Sequence, residues 1–450
     1  FELFVVKVRY MSARKGDIDQ KVELLKSILR DIHKGRDIKT LREKFRDVLK
    51  EIMPWEIPFL EQELIKEGIS VFEIVRLCDL HVELFRDSLM KHRKLLELPK
   101  GHPLLDLIHE NQEIIRDAEI LDLYLKALKS DMNKRDLKEI LQKLRTHLQT
   151  LYAIKRHFIK EQLLIFPYLE KRGITAVPRV LWTKQDQLLN KIKKFGKEIL
   201  NNVTDENVEK YIDIIEKEGK DLVRALMDMV FRENNILYPT LYVLLSDREW
   251  AAIKENSKEI GYYKISVSDD WGKNLEPIYP YQVREKISEE QLRHLPPWIR
   301  TNVEVEGDEV KYEFVRKNDI ELKEGYLSLN ELDTILQTLP FDISFVDKDD
   351  RLRYFNKMEK RIFPRAKTVL GRRVDLCHPP RSVNTVRRII EEFKAGKRNV
   401  AEFWINMKGR LIHIRYFPVR DDKGNYLGTL EVVQDITDIR KIEGEKRLLD

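Results

Sequence analysis

His157 and Glu161 stand four residues apart, so on a helix both side chains project from one face. The segment that begins at this glutamate, EQLLIFP (161–167), is echoed by ENNILYP (233–239), which opens on Glu233. Each is a carboxylate, a mostly apolar turn, an aromatic residue and a proline, and two related helical hairpins explain such a pair better than chance. His102 and His109 are seven apart and share a face if one helix carries both. Imidazole and carboxylate groups projecting from facing helices into a bundle core are the donors a non-haem iron site requires. A metal also removes the high cost of burying a carboxylate alone. The competing reading makes the histidines core or surface groups and pairs the glutamates with nearby cations such as Lys155, Arg156 and Lys160.

A second pair, Cys377 and His378, precedes Pro379 and Pro380. Thiolate and imidazole both bind haem iron, although two prolines building a rigid turn, with both side chains packed beside it, is the simpler account. Cys78 and His81, spaced i, i+3 on an expected helix, read more simply as core packing than as ligands.

The elements needed to position these groups follow from periodicity. Residues 17–98 carry apolar positions at helical spacing (Val22, Leu25, Ile28, Leu29; then Ile38, Leu41, Phe45), punctuated by Gly35, Pro54, Pro58 and Gly68. The breaker cluster at 99–103 marks a boundary. Beyond it the pattern predicts four long helices, at 104–129, 134–169, 180–202 and 205–245, joined as an antiparallel bundle. An aromatic-rich connector follows at 257–328, with a hairpin expected over 303–315 around Gly307 and Asp308. From Leu329 the period changes: strands at 342–347 and 351–356, helical segments including 383–394, then strands at 401–407, 411–419 and 426–435. Lys408-Gly409 and the turn at 422–425 supply the glycine that antiparallel connections need. This is an α+β plan.

Composition narrows the function. Basic and acidic residues number 83 and 77, for a net charge of +6 over 450 residues. That is no concentrated footprint for nucleic acid. No run reaches the ~18–20 apolar residues of a membrane span, and two distant cysteines form no disulfide framework, so a reducing cytoplasm is the expected location. The opening residues, FELFVVKVRY, lack the features of a secretory signal, and residues 1–16 read as an N-terminal extension. No P-loop, GxGxxG after a strand, zinc ribbon or GxSxG elbow is present, so binding or signalling is expected rather than catalysis.

The segments HFIKEQLLIFPYLEKRGI (157–174) and RENNILYPTLYVL (232–244) resemble the two signatures of hemerythrin-like HHE cation-binding domains. That resemblance implies a four-helix bundle with a two-iron site of His and carboxylate ligands. His157 and Glu161 match the family's His-x-x-x-Glu pair, and Glu233 matches the second carboxylate. The histidine expected four residues before Glu233 is Met229, and the third-helix histidine falls on Gln185. For the first helix, His102 and His109 both remain open. Two ions, one ion or none are therefore all compatible with the donor set. The stretch EQELIKEGISVFEIVRLCDLHVELF (61–85) is similar to the DUF438 helical domain. DISFVDKDDRLRYFN (342–356), GRRV (371–374) and QDIT (434–437) look like a PAS domain, a small sensory fold that encloses a ligand or contacts a partner.

The expected architecture is multidomain. An all-α DUF438-like domain (17–98) and a hemerythrin-like four-helix bundle (99–256) lead through the connector (257–328) to an α+β PAS domain (329–445). The metal candidates are His102, His109, His157, Glu161 and Glu233; the haem or small-ligand candidates in the PAS domain are Cys377 and His378. The expected work is cytoplasmic sensing of oxygen, nitric oxide, redox state or a small ligand. A separate protein effector would read the signal, and the PAS domain offers a route to a homodimer. The alternative is a non-haem iron protein of nitric-oxide or oxidative stress response, or of iron–sulfur cluster repair.

Overall fold

The structure is a computed structural model. It describes residues 98–128, 134–204, 207–283, 313–357, 361–378 and 380–447, with shorter stretches of the first hundred residues, chiefly 23–28, 34–45 and 56–70. The extension at 1–16, the Cys78/His81 pair and nearly all of the hairpin expected at 303–315 lie outside the described residues. The chain forms two compact units, residues 1–312 and 313–450.

The first unit is helical. Helix α1 (Ile38–Lys44) starts where the Asp37 side chain accepts from the Thr40 amide, filling one of the orphan donors of a helix start. Helix α2 (Glu56–Lys66) packs against the bundle, and its Gln62 Oε1 accepts from the amides of Thr175 and Ala176. The bundle begins with α3 (Pro103–Ala127) and continues with α4 (Lys134–Leu151), α5 (Lys155–Lys160) and α6 (Phe166–Lys171). It is completed by α7 (Ala176–Lys194), α8 (Val208–Arg232) and α9 (Tyr238–Leu244). Then α10 (Asp247–Ile260), opened by a Ser246/Glu249 capping box, lies across α3 and α5. Helices α3 and α8 approach closely because Gly219 carries no side chain; a Cβ there would fall 2.5 Å from Leu125 Cδ2.

One apolar cluster runs through this unit, from Leu25, Ile28 and Leu60 to Leu241 and Trp250. The breaker at 99–103 therefore separates helices without separating cores. The connector's first residues join the same core, because Tyr263 is buried.

Two interruptions of the bundle fall where the sequence echoes itself. Glu161–Ile165 and Glu233–Leu237 are single π-helical turns. In each, the amide before the proline reaches back five residues, from Phe166 to the Glu161 carbonyl and from Tyr238 to the Glu233 carbonyl. Pro167 and Pro239 have no N–H to continue a tighter ladder. Such turns concentrate at functional sites.

The second unit opens with a hairpin, β1 (Asp319–Leu322) and β2 (Gly325–Ser328), and α11 (Leu329–Thr338), capped by a Ser328/Glu331 box. The main sheet contains β3 (Asp342–Asp347), β4 (Leu352–Phe355), β5 (Ala401–Met407), β6 (Arg410–Arg420) and β7 (Tyr426–Asp435). Its order is β4-β3-β7-β6-β5, with every neighbouring pair antiparallel. Gly428 allows β7 to press against β3, since a Cβ would meet the Val346 carbonyl at 2.2 Å. Helix α12 (Pro380–Lys394) packs on β6 and β7 and contributes Ile390 to the cluster with Val346, Leu352 and Val374. The α+β arrangement with helices beside a five-stranded antiparallel sheet is the one the sequence predicts. No helix among the described residues is long and apolar enough to cross a membrane.

Candidate metal centre

Three of the five metal candidates converge. His157, on α5, and Glu161 and Glu233, which open the two π turns, bring one ligand atom each within 4.8 Å of one another, and all three are fully buried. His157 Nε2 lies 3.6 Å from Glu161 Oε1 and 3.4 Å from Glu233 Oε2.

His102 and His109 do not join them. His102 is the N-cap of α3: its Nδ1 accepts from the Leu104 amide at 3.1 Å, and its ring packs against Trp250 and Trp271. Burial, with the nearby Lys254 charge, lowers its pKa to about 4, so the ring is neutral and serves the helix start. His109 points to the exposed side of the same helix. From α3 it is Glu110 that reaches the cluster, with Oε2 2.7 Å from His157 Nδ1. Its other oxygen accepts from Lys160 Nζ and from the Tyr263 amide at 2.6 Å. Beyond the histidine, Tyr238 Oη donates to Glu161 Oε1 at 2.9 Å and lies 3.2 Å from His157 Nε2. Asn111 Nδ2 donates to that phenol at 3.3 Å.

The electrostatics favour a cation in the cage. Burial alone would lower the His157 pKa, but the hydrogen bonds and charges of Glu110, Glu233 and Glu161 outweigh it and raise it to about 10. Burial and then the charge of Glu233 push Glu161 well above the usual carboxylate range. Burial also opposes charge on Glu110, yet His157 and Lys160 hold it below its ordinary value. Three buried carboxylates face one imidazole and one ammonium, and Glu233 Oε1 has no hydrogen-bond partner although fully buried. A buried carboxylate oxygen left without a partner costs ~1–3 kcal/mol or more. A metal ion held by His157, Glu161 and Glu233 would satisfy that oxygen and balance the charge, so these residues fit one ion.

They do not fit two. Where the family would place a third-helix histidine, Gln185 Nε2 donates to Glu161 Oε2 at 2.6 Å and its Oε1 accepts from Gln162 at 2.8 Å. Met229 is buried in the apolar cluster, and its soft thioether suits neither ion of an oxygen- and nitrogen-ligated pair.

In the second unit, Cys377 and His378 both line a cavity of about 40 Å³, together with Val346, Ile390, Tyr416 and Glu431. Cys377 is a free thiol, half-buried, and His378 Nδ1 is 2.7 Å from the Val374 carbonyl, which leaves Nε2 as its unassigned nitrogen. At the polar end Glu431 is paired with Arg365 at 3.0 Å and accepts from Tyr416 Oη at 3.1 Å. The volume suits water or a small molecule and is far below the ~300 Å³ at which drug-sized ligand pockets begin. A haem does not fit this cavity as it stands.

Fold and site together define a helical bundle with a buried histidine–carboxylate centre, followed in the same chain by an α+β unit built on a five-stranded antiparallel sheet. Comparison with known families matches both of these parts and a third segment that precedes them. Residues 25–91 match the family of unknown function DUF438, residues 102–241 the hemerythrin HHE cation binding domain, and residues 332–437 a PAS domain. The chain therefore combines DUF438, hemerythrin HHE and PAS domains, in that order. Similar solved structures include a C-terminal domain from Streptococcus mutans, 34% identical over 28% of this chain and 99% of that one, with a TM-score of 0.27. A PAS domain from Colwellia psychrerythraea is 17% identical over 24% of this chain and 98% of its own (TM-score 0.21). A sensory box sensor histidine kinase from Vibrio cholerae is 18% identical over 24% and 90% (TM-score 0.19). No curated protein matches the chain.

Proposed function

We propose that this protein is a sensor whose bundle binds a single transition-metal ion, iron by preference, through His157, Glu161 and Glu233. The observation that carries this reading is Glu233 Oε1, a fully buried carboxylate oxygen with no hydrogen-bond partner, placed among converging donors. A bound iron would supply an open-shell centre that responds to oxygen, nitric oxide or redox state. The protein's own part is to hold His157 by its Nδ1 against Glu110, to exclude water, and to keep Glu161 oriented through Gln185.

The change at the centre has a physical route outward. Glu110 touches His157 on one oxygen and the Tyr263 amide on the other, and Tyr263 lies just past the end of α10, in the connector. A ligand that binds one arrangement of these contacts better shifts the population towards it. The PAS domain would then present the result to a protein effector or a second copy of the chain, and its small cavity would admit a second, small-molecule input. Gln185 and Met229 weigh against the two-iron redox chemistry that cluster repair or a stress-response activity would need.

Hydrogen exchange on the full chain, with and without ferrous ion under anaerobic conditions, tests this. The expected result is altered protection of the amides at 261–264 and of α5 when iron is added. Identical exchange in both states would refute signalling from this centre.

A further inference from the structure

Tyr238 is a buried polar side chain in contact with both His157 and Glu161, and the resemblance to hemerythrin-like domains assigns it no role. Resting on the single-ion reading above, we propose that its phenol oxygen is the fourth protein donor, so that a ferric ion is held by His157, Glu161, Glu233 and the Tyr238 phenolate.

Glu233 and Tyr238 are five residues apart, and on a regular helix such residues point about 140° apart, since each step turns ~100°. The π turn Glu233–Leu237 widens the helix between them, and closure over five residues brings both to one side. As a result both reach the same imidazole nitrogen: His157 Nε2 is 3.4 Å from Glu233 Oε2 and 3.2 Å from Tyr238 Oη.

The separations have the scale of a coordination shell. Two donors each ~2.0–2.2 Å from one ion stand about 2.8–3.6 Å apart at octahedral or tetrahedral angles. Tyr238 Oη is 2.9 Å from Glu161 Oε1 and 3.2 Å from His157 Nε2, and the remaining pairs measured from that nitrogen are 3.4 and 3.6 Å. All four values fall in that interval. The two hairpins also differ at this point. The aromatic before the proline is Phe166 in the first and Tyr238 in the second, both fully buried, so the hydroxyl is a property of the second hairpin alone.

Ligation balances simply. The phenolic O–H breaks and an oxygen–iron bond forms; this proton, and those that His157 and Glu161 carry in the metal-free cage, leave to solvent as the donors bind, with no change in oxidation state when iron is supplied as ferric ion. Asn111 Nδ2, 3.3 Å from the phenol oxygen, then donates to the phenolate.

The test uses the full chain purified without chelator and loaded with ferric citrate. The expected result is retained iron, a visible phenolate-to-iron charge-transfer band and tyrosinate modes in resonance Raman that shift when tyrosine is ring-deuterated. In Tyr238→Phe the band is lost, and affinity for ferric ion falls at least about tenfold, at the lower end of the loss seen when a metal site is disturbed. Retained iron with no phenolate band in the wild-type chain overturns the Tyr238 assignment and leaves the single-ion site standing. A band that persists in Tyr238→Phe overturns it equally. Failure to retain any iron overturns the single-ion reading and this one together. The wild-type Raman measurement needs no variant, so misfolding of Tyr238→Phe would not rescue the proposal.

Discussion

Glu110 Oε2 lies 2.7 Å from His157 Nδ1, inside a core from which both side chains exclude water completely. A carboxylate behind an imidazole fixes the ring's orientation and directs Nε2 at the centre. The same carboxylate neutralises Lys160, whose side chain is only 3% exposed and whose pKa burial would otherwise lower further.

Two outcomes follow for substitutions at Glu110. Glu110→Ala strands the Lys160 ammonium in the core and should destabilise the helical unit by ~3–5 kcal/mol, read as a lower denaturation midpoint. Glu110→Gln keeps the shape but weakens the hold on His157, and metal affinity measured by chelator competition should fall about 10–100-fold. Unchanged affinity in the glutamine variant would show that Glu110 does not orient the ligand.

Metal binding should tighten as pH rises. In the metal-free cage the His157 pKa is raised from 6.5 to about 10, so near neutrality a metal must displace its proton. Apparent affinity should therefore climb about tenfold per pH unit for each proton displaced. The linkage for folding has the opposite sense. A raised folded-state pKa stabilises the metal-free protein fully below 6.5, and this contribution is lost as pH rises through about 10. The gap in melting temperature between loaded and metal-free protein should widen from neutral to mildly alkaline pH. A gap that stays constant or narrows would contradict protonated His157 as the resting state.

The second ion's place can be rebuilt. Gln185 is fully buried and bonded to Glu161, and Met229 lies four residues before Glu233. Gln185→His with Met229→His restores the imidazoles that the family signature carries there. Elemental analysis of the double variant should move from one metal per chain towards two. If the folded variant still takes up one, something other than these two side chains limits the site.

In the PAS unit, Arg361 holds the start of the sheet together. Its guanidinium donates to the carbonyls of Asn356 at 2.5 Å and Ile343 at 3.2 Å, and faces the buried Asp342 carboxylate at 3.9 Å. Arg361→Ala removes the cation facing Asp342, leaving its Oδ2 with the Ile362 amide at 2.7 Å and the Ile343 carbonyl with the Asn356 amide at 3.3 Å, and should cost ~1–3 kcal/mol. The readout is hydrogen exchange across β3, which should lose protection; preserved protection would mean that solvent or a neighbour takes over the role.

How far the sequence discloses this protein depends on what each element is made of. The strands at 401–407 and 426–435 are legible to the residue, because alternation and glycine turns fix where pairing begins and ends. The echo of EQLLIFP and ENNILYP marks the two π turns at the centre, since glutamate and proline bracket each one, but not the third among the described residues, Phe195–Ile199. Glu110 was hidden by its type. Among many exposed glutamates it looks solvated, yet it lies three residues after Leu107 and four before Ile114, inside the buried stripe of α3. A carboxylate in an apolar stripe was the signal available, and it outweighs the chemical appeal of His102 and His109. Tyr238 was hidden differently, because only the π turn places residues five apart at one site. The contact between Tyr263 and Glu110 joins residues 153 apart in sequence, and no periodicity reports it.

The central claim, one ion held by His157, Glu161 and Glu233, is tested most directly by elemental analysis of the full chain after anaerobic loading with ferrous ion and desalting. The same measurement on Glu233→Gln provides the comparison. One iron per wild-type chain is expected, with most of it lost in Glu233→Gln and helicity unchanged. No retained iron, manganese or zinc in the wild-type chain, or equal retention in the variant, would contradict it.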